Sequence, residues 1–147
     1  MAGKILLEVI TPDRLVLREE VDMVVATAVE GEFGVLPGHA PMVCLLEIGP
    51  GRYKKNGKID YMAIAGGIAE VFEDKVSILA EAAELAREIN LKRVMKARER
   101  ALKRLAKREN IDVARAEAAL RRAMMRLKVA RYAGMLESIP PAEIKEY

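Results

Sequence analysis

The sequence predicts a β + α protein, in which an N-terminal β-sandwich is followed by a C-terminal antiparallel two-helix hairpin. Three observations indicate this fold class. Short apolar segments separated by turn residues fill the first half of the chain, and the apolar spacing becomes helical after Glu81. The charge also changes sign near Ala86: residues 1–86 carry 8 basic and 14 acidic side chains, a net charge of −6, whereas residues 87–147 carry 17 and 8, a net charge of +9.

The predicted strands are short, and turn residues separate them. Asn56-Gly57 is the strongest hairpin signal, because a type I′ turn requires a positive φ at both central residues. Glu73-Asp74 and residues 11–13 are further turn candidates. Because the strands are short, turns are frequent and no helical pattern separates them, a sandwich or a barrel is indicated. The candidate strands cover residues 4–10, 15–17, 22–29, 53–55, 58–61, 68–72 and 76–79.

Two helices are predicted in the second half, each with its own start signal. Asn90 and Asp112 are good N-caps, because their side-chain oxygens accept hydrogen bonds from free backbone N–H groups. Ile89 and Ile111 stand where a hydrophobic staple would place them. An alanine-rich apolar seam allows close antiparallel packing, with residues 107–110 as the connection. The seam comprises Leu91, Val94, Ala101 and Leu105, and then Val113, Ala116, Leu120, Ala123, Leu127 and Ala130.

The predicted units are a sandwich over residues 1–86, a hairpin over residues 87–137 and a loose tail over residues 138–147. Pro140-Pro141 ends helical structure before the tail.

Three arginines repeat at the same spacing on each helix. They lie 3, 10 and 14 residues after the N-cap, which keeps them near one helical face and off the apolar seam. Two interpretations stay open: a solvated face, or a surface that binds carboxylates or phosphates, since a guanidinium donates two parallel hydrogen bonds to either. The two sets are Arg93, Arg100 and Arg104, and Arg115, Arg122 and Arg126.

A glycine- and proline-rich segment at residues 31–41 is the most specific part of the first half. It reads Gly-Glu-Phe-Gly-Val-Leu-Pro-Gly-His-Ala-Pro. Glycine reaches backbone angles that other residues avoid and proline fixes φ, so a defined loop is predicted. Phe33, Val35 and Leu36 are expected to pack on the core. A second signature follows, Ala-Gly-Gly-Ile-Ala-Glu-Val at residues 65–71 and Val-Ser-Ile-Leu-Ala-Glu at residues 76–81.

These two signatures, in this order and before a basic helical hairpin, resemble the epsilon subunits of bacterial F-type ATP synthases over nearly the whole chain. The resemblance implies a non-catalytic central-stalk subunit of a proton-translocating enzyme. Such a subunit couples the gamma subunit to the c-ring and inhibits ATP hydrolysis through an extendable hairpin. Glu32 matches an acidic position near the c-ring loops, and His39 matches a position at the junction with gamma. A peripheral location on the cytoplasmic side of the cell membrane, reached only through the complex, is also implied.

Some bacterial members of that family bind ATP in the folded-down hairpin, through a motif of Ile or Leu, Asp, two variable residues and Arg-Ala. Residues 89–94 read Ile-Asn-Leu-Lys-Arg-Val, so Arg93 is retained while Asn90 and Val94 depart from the motif. The resemblance implies no required cofactor and leaves regulatory ATP open, with weaker affinity than an intact motif gives. The positions that match ATP-binding members are Glu84, Asn90, Arg93, Arg100, Arg122 and Arg126. The hairpin arginines expected to contact acidic helices of the catalytic beta subunits are Arg104, Arg115, Arg122 and Arg126.

Other function classes fit the residues less well. A nucleic-acid-binding or other polyanion-binding module agrees with the basic second half, but aromatic residues are only 4% of the chain, so bases would find few stacking partners. A dimeric coiled coil is disfavoured by the short connection. No nucleophile elbow or phosphate loop is present, and the single Cys44 can form no internal disulfide and is expected to be buried. No apolar run approaches the ~20 residues that span a bilayer, and the N-terminus lacks a secretory signal.

Overall fold

The computed structural model describes residues 3–135. Eight strands are followed by a 3₁₀ turn at Ala86–Glu88 and by two helices, α1 at Leu91–Lys107 and α2 at Val113–Tyr132. The predicted fold class is confirmed, while the tail predicted at residues 138–147 lies outside the described residues. The strands are β1 Ile5–Ile10, β2 Leu15–Val21, β3 Met23–Ala28, β4 Gly31–Val35, β5 Met42–Lys55, β6 Lys58–Phe72, β7 Lys75–Ala80 and β8 Ala83–Leu85.

The strands form one continuous hydrogen-bonded sheet that folds into the sandwich. The order is β2-β1-β7-β6-β5-β3-β4, and β8 pairs with β6 off this path. The β1–β7 pair is parallel, and the other described pairs are antiparallel. With 14 and 15 residues, β5 and β6 are long enough to pair with different strands along their length. Residues 67–72 of β6 pair with β7, whereas its residues 62–64 pair with β8.

Alternate strand residues build the sandwich core. Ile5, Leu7 and Val9 of β1 are fully buried, and the residues between them reach the surface. This alternation is typical of a strand with one face in the core. Val76 and Ile78 of β7 follow the same rule and belong to the same cluster.

Two of the three predicted turns are confirmed as tight turns between paired strands. Asn56 and Gly57 have φ values of 52° and 80° and connect the paired strands β5 and β6. Glu73 and Asp74, with φ values of 47° and 57°, connect β6 to β7. Positive φ at both central residues matches the right-handed twist of the flanking strands.

The glycine of the second signature is required by a close contact between strands. Gly67 of β6 has a φ of 120° and pairs with Ala80 of β7. A Cβ at Gly67 would lie 2.1 Å from the carbonyl oxygen of Leu79. Both the backbone angle and the missing space therefore exclude a side chain here.

Both predicted helix N-caps are also confirmed. Asn90 Oδ1 accepts a hydrogen bond from the backbone N–H of Arg93, and Asp112 Oδ1 accepts one from that of Arg115, each at 3.1 Å. These bonds satisfy donors that have no partner within the helix. The two helices therefore begin where the sequence predicts.

Helix α2 lies between α1 and the sandwich. Its predicted seam is buried at Ala116, Ala123, Leu127 and Ala130. Met125 and Val129, which the predicted seam did not include, are buried as well, in the cluster that contains Ala63 and Ala65 of β6. Since α2 contacts α1 on one side and β5 and β6 on the other, the hairpin is folded down on the sandwich.

Several expectations about the first half need correction. The strands predicted at residues 58–61 and 68–72 are parts of one continuous strand, β6. Residues 31–35 are not a loop but form β4, because their backbone pairs with β3. Leu36 is 61% exposed, since it stands where the chain leaves the sheet, whereas Val35 is buried and Phe33 packs on the core. Cys44 is only half-buried. Its partial burial nevertheless raises the pKa of the thiol, which disfavours the reactive thiolate.

Candidate functional site

A cavity of about 320 Å³, the junction pocket, lies where the sandwich, the 3₁₀ turn and both helices meet. It brings together five of the six residues predicted from the sequence to bind nucleotide. The sixth, Arg122, is half-buried on α2 and does not line the pocket. The lining residues are Glu84, Glu88, Asn90, Arg93, Val94, Ala97, Arg100 and Arg126.

Each wall of the junction pocket comes from a different element. β8 supplies Glu84, which is fixed by the pairing of this strand with β6. α1 supplies Arg93 and Arg100, which are seven residues apart and therefore lie on the same side of the helix. α2 supplies Arg126, and the N-cap Asn90 places the first turn of α1 in the wall. The pocket thus exists only because the hairpin is packed on the sandwich.

An ion pair joins two walls of the junction pocket. Arg126 Nε donates to Glu84 Oε1. The two side chains are 28% and 25% exposed, so water screens this pair less than it screens a surface pair. One of the arginines in the pocket therefore already has a carboxylate partner.

A second ion pair lies at the edge of the junction pocket. Arg14, from the turn between β1 and β2, places Nη1 2.9 Å from Glu88 Oε2. Glu88 Oε1 accepts a hydrogen bond of 3.0 Å from the backbone N–H of Leu85. The bond from Arg14 lowers the pKa of Glu88 below its ordinary value of 4.5; burial opposes this shift, and the bond from Leu85 adds to it. Glu88 is thus held as a carboxylate.

Sequence reasoning missed Glu88 and Arg14 as parts of this region. Glu88 stands three residues after Leu85, but a leucine side chain cannot accept a hydrogen bond, so the pair is not a capping box and Glu88 carries no local signal. Arg14 belongs to the sandwich and carries no local signal, because only the folding of the chain brings it to Glu88. Arg98 was also missed: it is buried in α1 although the helical pattern assigned that face to apolar residues.

The arginines predicted to contact the beta subunits do not form one surface in this arrangement. Arg104 and Arg115 are exposed, in the last turn of α1 and the first turns of α2, near the tip of the hairpin. Arg122 is half-buried, and Arg126 faces the junction pocket. Two of the four side chains are therefore accessible at the tip, and two lie closer to the sandwich.

The two residues predicted for rotor docking lie on β4 and in the turn that follows it. Glu32 is exposed on β4 and accepts a hydrogen bond of 3.3 Å from Arg52 Nη2. His39 is half-buried, with Nδ1 2.6 Å from the carbonyl oxygen of Ala40, and its backbone N–H donates to Leu36 at 3.2 Å. The His39 ring therefore supports the local turn.

An exposed apolar row crosses three strands of the sandwich. Leu45, Ile68 and Leu79 are neighbours in the register of β5, β6 and β7, and they are 63%, 42% and 52% exposed. Residues directly opposite one another project from the same face of a sheet. Val29 and Val43 are exposed next to this row. Contiguous exposed apolar side chains of this kind mark protein contact surfaces.

Models of known families match both parts of this architecture. Residues 4–86 match the β-sandwich domain of the ATP synthase delta/epsilon chain, and residues 87–131 match its long α-helix domain. The chain belongs to the ATP synthase delta/epsilon family. The resemblance inferred from the two signatures is thereby confirmed.

Individual relatives of the delta/epsilon family agree with this assignment. The ATP synthase epsilon chain of Nitratidesulfovibrio vulgaris strain DP4 is 52% identical over 124 residues, which cover 84% of this chain and 92% of that one. The epsilon chain of Desulfitobacterium hafniense strain Y51 is 49% identical over 131 residues, 89% of this chain and 99% of that one. A solved structure agrees as well: a cryo-EM structure of the Euglena gracilis mitochondrial ATP synthase, which comprises OSCP, F1 and the c-ring, contains a similar chain. That chain superimposes with a TM-score of 0.64 at 29% identity, and the match covers 92% of this chain and 83% of that one.

As a member of the delta/epsilon family, the chain is part of a membrane-associated complex. None of the helices within residues 3–135 has the length and apolar character needed to cross a bilayer. Within the same residues, no cluster of three or more His, Cys, Asp or Glu side chains could hold a metal ion.

Proposed function

We propose that this chain, an epsilon-type subunit of the ATP synthase central stalk, is a non-catalytic regulator with three working surfaces. The sandwich docks on the rotor, the hairpin inhibits ATP hydrolysis when it extends, and the junction pocket binds ATP and thereby favours the folded-down hairpin. One observation carries the proposal: Glu84, Asn90, Arg93, Arg100 and Arg126 converge in one cavity although they come from three separate elements.

The chemistry of the junction pocket suits a polyphosphate. Arg93, Arg100 and Arg126 present three guanidinium groups, each able to donate paired hydrogen bonds to phosphate oxygens. The first turn of α1 lies in the same wall, and a helix N-terminus attracts anions through its free N–H groups and its dipole. Both features favour binding of the phosphate chain of ATP.

Binding in the junction pocket would act on the position of the hairpin. A ligand that contacts β8, α1 and α2 together finds all its partners only while the hairpin is folded down. It therefore binds that state more tightly and shifts the population toward it. Bound ATP then keeps the hairpin folded down, and loss of ATP allows the hairpin to extend.

Three features of the junction pocket favour modest affinity for ATP. Asn90 contributes an amide where ATP-binding members of the family contribute a carboxylate. In addition, Glu84 already neutralises Arg126, so a phosphate must share or displace this partner. A volume of about 320 Å³ is near the lower end for small-molecule sites.

The tip of the hairpin supplies the inhibitory contact in this proposal. Arg104 and Arg115 are exposed there, and extension of the hairpin would uncover Arg122 and Arg126 as well. Arginines on an extended hairpin suit acidic helices of the catalytic beta subunits, and such a contact would resist rotation in the hydrolysis direction. Charge pairs of this kind weaken as salt concentration rises.

The sandwich supplies the rotor contacts. The apolar row of Leu45, Ile68 and Leu79 suits the gamma subunit, because a lasting contact that transmits torque is best made by buried apolar area. Glu32, exposed on β4, suits basic groups in the polar loops of the c-ring. We propose a peripheral location on the cytoplasmic side of the membrane, reached through the complex.

Calorimetric titration of the full chain with ATP tests the pocket, and ATP hydrolysis by the reconstituted catalytic head tests the regulation. We expect saturable binding that Arg93→Gln together with Arg100→Gln abolishes. Lys103→Gln serves as the matched control, since it removes a cation of α1 whose partner is the exposed Glu99, 3.2 Å away, and it should bind ATP like the parent. Absence of binding in the parent rejects the nucleotide site. Hydrolysis that is the same with and without the chain rejects the inhibitory role.

A further inference from the structure

We propose that Arg14 and Glu88 form a latch that fixes the first turn of α1 on the sandwich and thereby sets how tightly the junction pocket holds a polyphosphate. The inference rests on the nucleotide site proposed above. It adds a positioning residue, Arg14, which belongs to the sandwich and does not line the pocket.

The turn that carries Arg14 is itself well fixed. The backbone N–H of Thr11 donates to the carbonyl oxygen of Arg14 at 3.0 Å, and the backbone N–H of Arg14 donates to Thr11 Oγ1 at 3.3 Å. This turn joins β1 to β2, and β1 is buried in the core. Arg14 therefore extends from a rigid part of the sandwich, and its Nη1 reaches Glu88 Oε2 at 2.9 Å.

A short series of contacts leads from Glu88 to the junction pocket. Its second carboxylate oxygen accepts the backbone N–H of Leu85, which closes the 3₁₀ turn. Ile89 follows, buried and with its N–H bonded to Ala86 at 3.1 Å. Asn90 then caps α1 and sets where Arg93 stands. Glu88 is thus two residues before the cap Asn90, which positions Arg93. A substitution at Glu88 should therefore alter the position of Arg93.

The same pair also controls the charge in the pocket wall. Glu84 and Glu88 both line the junction pocket, and each has an arginine partner, Arg126 and Arg14 respectively. Without Arg14, the Glu88 carboxylate would face incoming phosphates unneutralised. Like charges at short distance repel strongly where water is partly excluded. Loss of Arg14 therefore weakens polyphosphate binding through both position and charge, and both effects act through Glu88.

A double-mutant cycle on the full chain tests this dependence, with ATP and inorganic tripolyphosphate as the ligands in calorimetry. Because both partners are partly exposed, we expect Arg14→Gln to weaken binding about two- to fivefold, while Arg14→Lys, which keeps the charge, recovers most of the loss. In the Glu88→Gln background, Arg14→Gln should have no further effect. An equal loss in both backgrounds would overturn the proposal, because Arg14 would then act as a distant charge and not through Glu88.

Hydrogen exchange without ligand separates the latch from the nucleotide site. Amides of residues 85–94 should exchange faster in Arg14→Gln than in the parent, whereas Lys103→Gln should leave their exchange unchanged. Unchanged exchange in Arg14→Gln overturns the latch even if ATP binds. If the parent binds neither ligand, the nucleotide site and the effect of the latch on affinity are rejected together, and exchange alone then decides whether Arg14 holds this turn.

Discussion

Arg126 of α2 donates to Glu84 of β8 across the wall of the junction pocket. This one ion pair ties the hairpin to the sandwich, and it also occupies a guanidinium that a phosphate would bind. The Glu84 carboxylate therefore helps to hold the hairpin down, and it contacts the same guanidinium that we propose binds a phosphate of ATP. Under the proposed function, the stability of the docked hairpin and the affinity for ATP are therefore coupled at these two side chains.

Glu84→Gln should weaken the packing of the hairpin on the sandwich. The variant loses the ion pair, so we expect the docked hairpin to lose about 1 kcal/mol of stability, at the upper end for partly exposed pairs. The measurement is hydrogen exchange of α2 in the ligand-free chain. Glu99→Gln, which breaks the exposed pair with Lys103 within α1, is the control and should leave exchange of α2 unchanged. Equal exchange in parent and Glu84→Gln would show that the pair does not hold the hairpin.

Asn90→Asp should tighten ATP binding. Aspartate is as good an N-cap as asparagine, so α1 should keep its start, and the hydrogen bond from the Arg93 N–H should remain. The added carboxylate restores the residue type found in ATP-binding members of the family, and we expect a gain of roughly three- to tenfold, equivalent to about 1 kcal/mol. Calorimetry on parent and variant gives the comparison. Unchanged affinity would count against a role of Asn90 in the pocket.

The two tip arginines should matter for inhibition and not for nucleotide binding. Arg104→Gln combined with Arg115→Gln removes charges that are exposed and do not line the junction pocket. We expect relief of the inhibition of ATP hydrolysis in the reconstituted enzyme, together with parental ATP affinity. Lys92→Gln with Lys96→Gln removes two exposed charges from the start of α1 and provides a control for net charge. Hydrolysis that responds equally to both variants would show a general charge effect.

Gly67→Ala should destabilise the sandwich severely. The new methyl group would lie 2.1 Å from the Leu79 carbonyl oxygen at a φ of 120°, so the paired backbones of β6 and β7 must separate. We expect a loss of about 3 kcal/mol or more in the free energy of unfolding, measured by urea denaturation. Gly38→Ala is the matched comparison, because Gly38 also has a positive φ, 84°, but a Cβ added there would meet no other atom within 4 Å. It should lose only about 1 kcal/mol.

Acid should weaken the contact between Arg14 and Glu88. Because the pKa of Glu88 is lower in the folded chain than its ordinary value of 4.5, the carboxylate contributes stability that is complete above pH 4.5. This contribution is lost as the pH falls through the lower, folded-state pKa. Urea midpoints measured from about pH 7 to pH 3 should therefore fall more steeply for the parent than for Glu88→Gln. Parallel curves would show that Glu88 does not stabilise the fold through its charge.

Much of the local structure could be predicted because local chemistry determines it. Asn56-Gly57 and Glu73-Asp74 form turns whose backbone angles few residues tolerate, and Asn90 and Asp112 begin helices because their side chains accept the free N–H groups. Residues 31–35 were predicted as loop and form β4, since two glycines there are compatible with pairing to β3. Strand pairing depends on a distant segment, so composition alone misjudged it.

The candidate site was predictable only in part. The spacing along α1 indicates that Arg93 and Arg100 share a side of the helix, but which face of α2 meets them depends on how the hairpin packs. That packing puts Arg126 in the junction pocket and leaves Arg122 out. The contact of Arg14 with Glu88 depends on the same packing and has no signature in the sequence.

The sequence by itself determined the fold class, the tight turns, the helix caps and the family to which the chain belongs, because each depends on side chains close together along the chain or on a motif read in order. Only the tertiary structure decided which charges meet. Residues from β8, the 3₁₀ turn, α1 and α2 come together when the apolar faces of α2 are buried against α1 and the sandwich. Burial of apolar surface has no direction of its own, so the detailed fit of the packed elements, and not the local pattern, selects the ion pairs at the pocket.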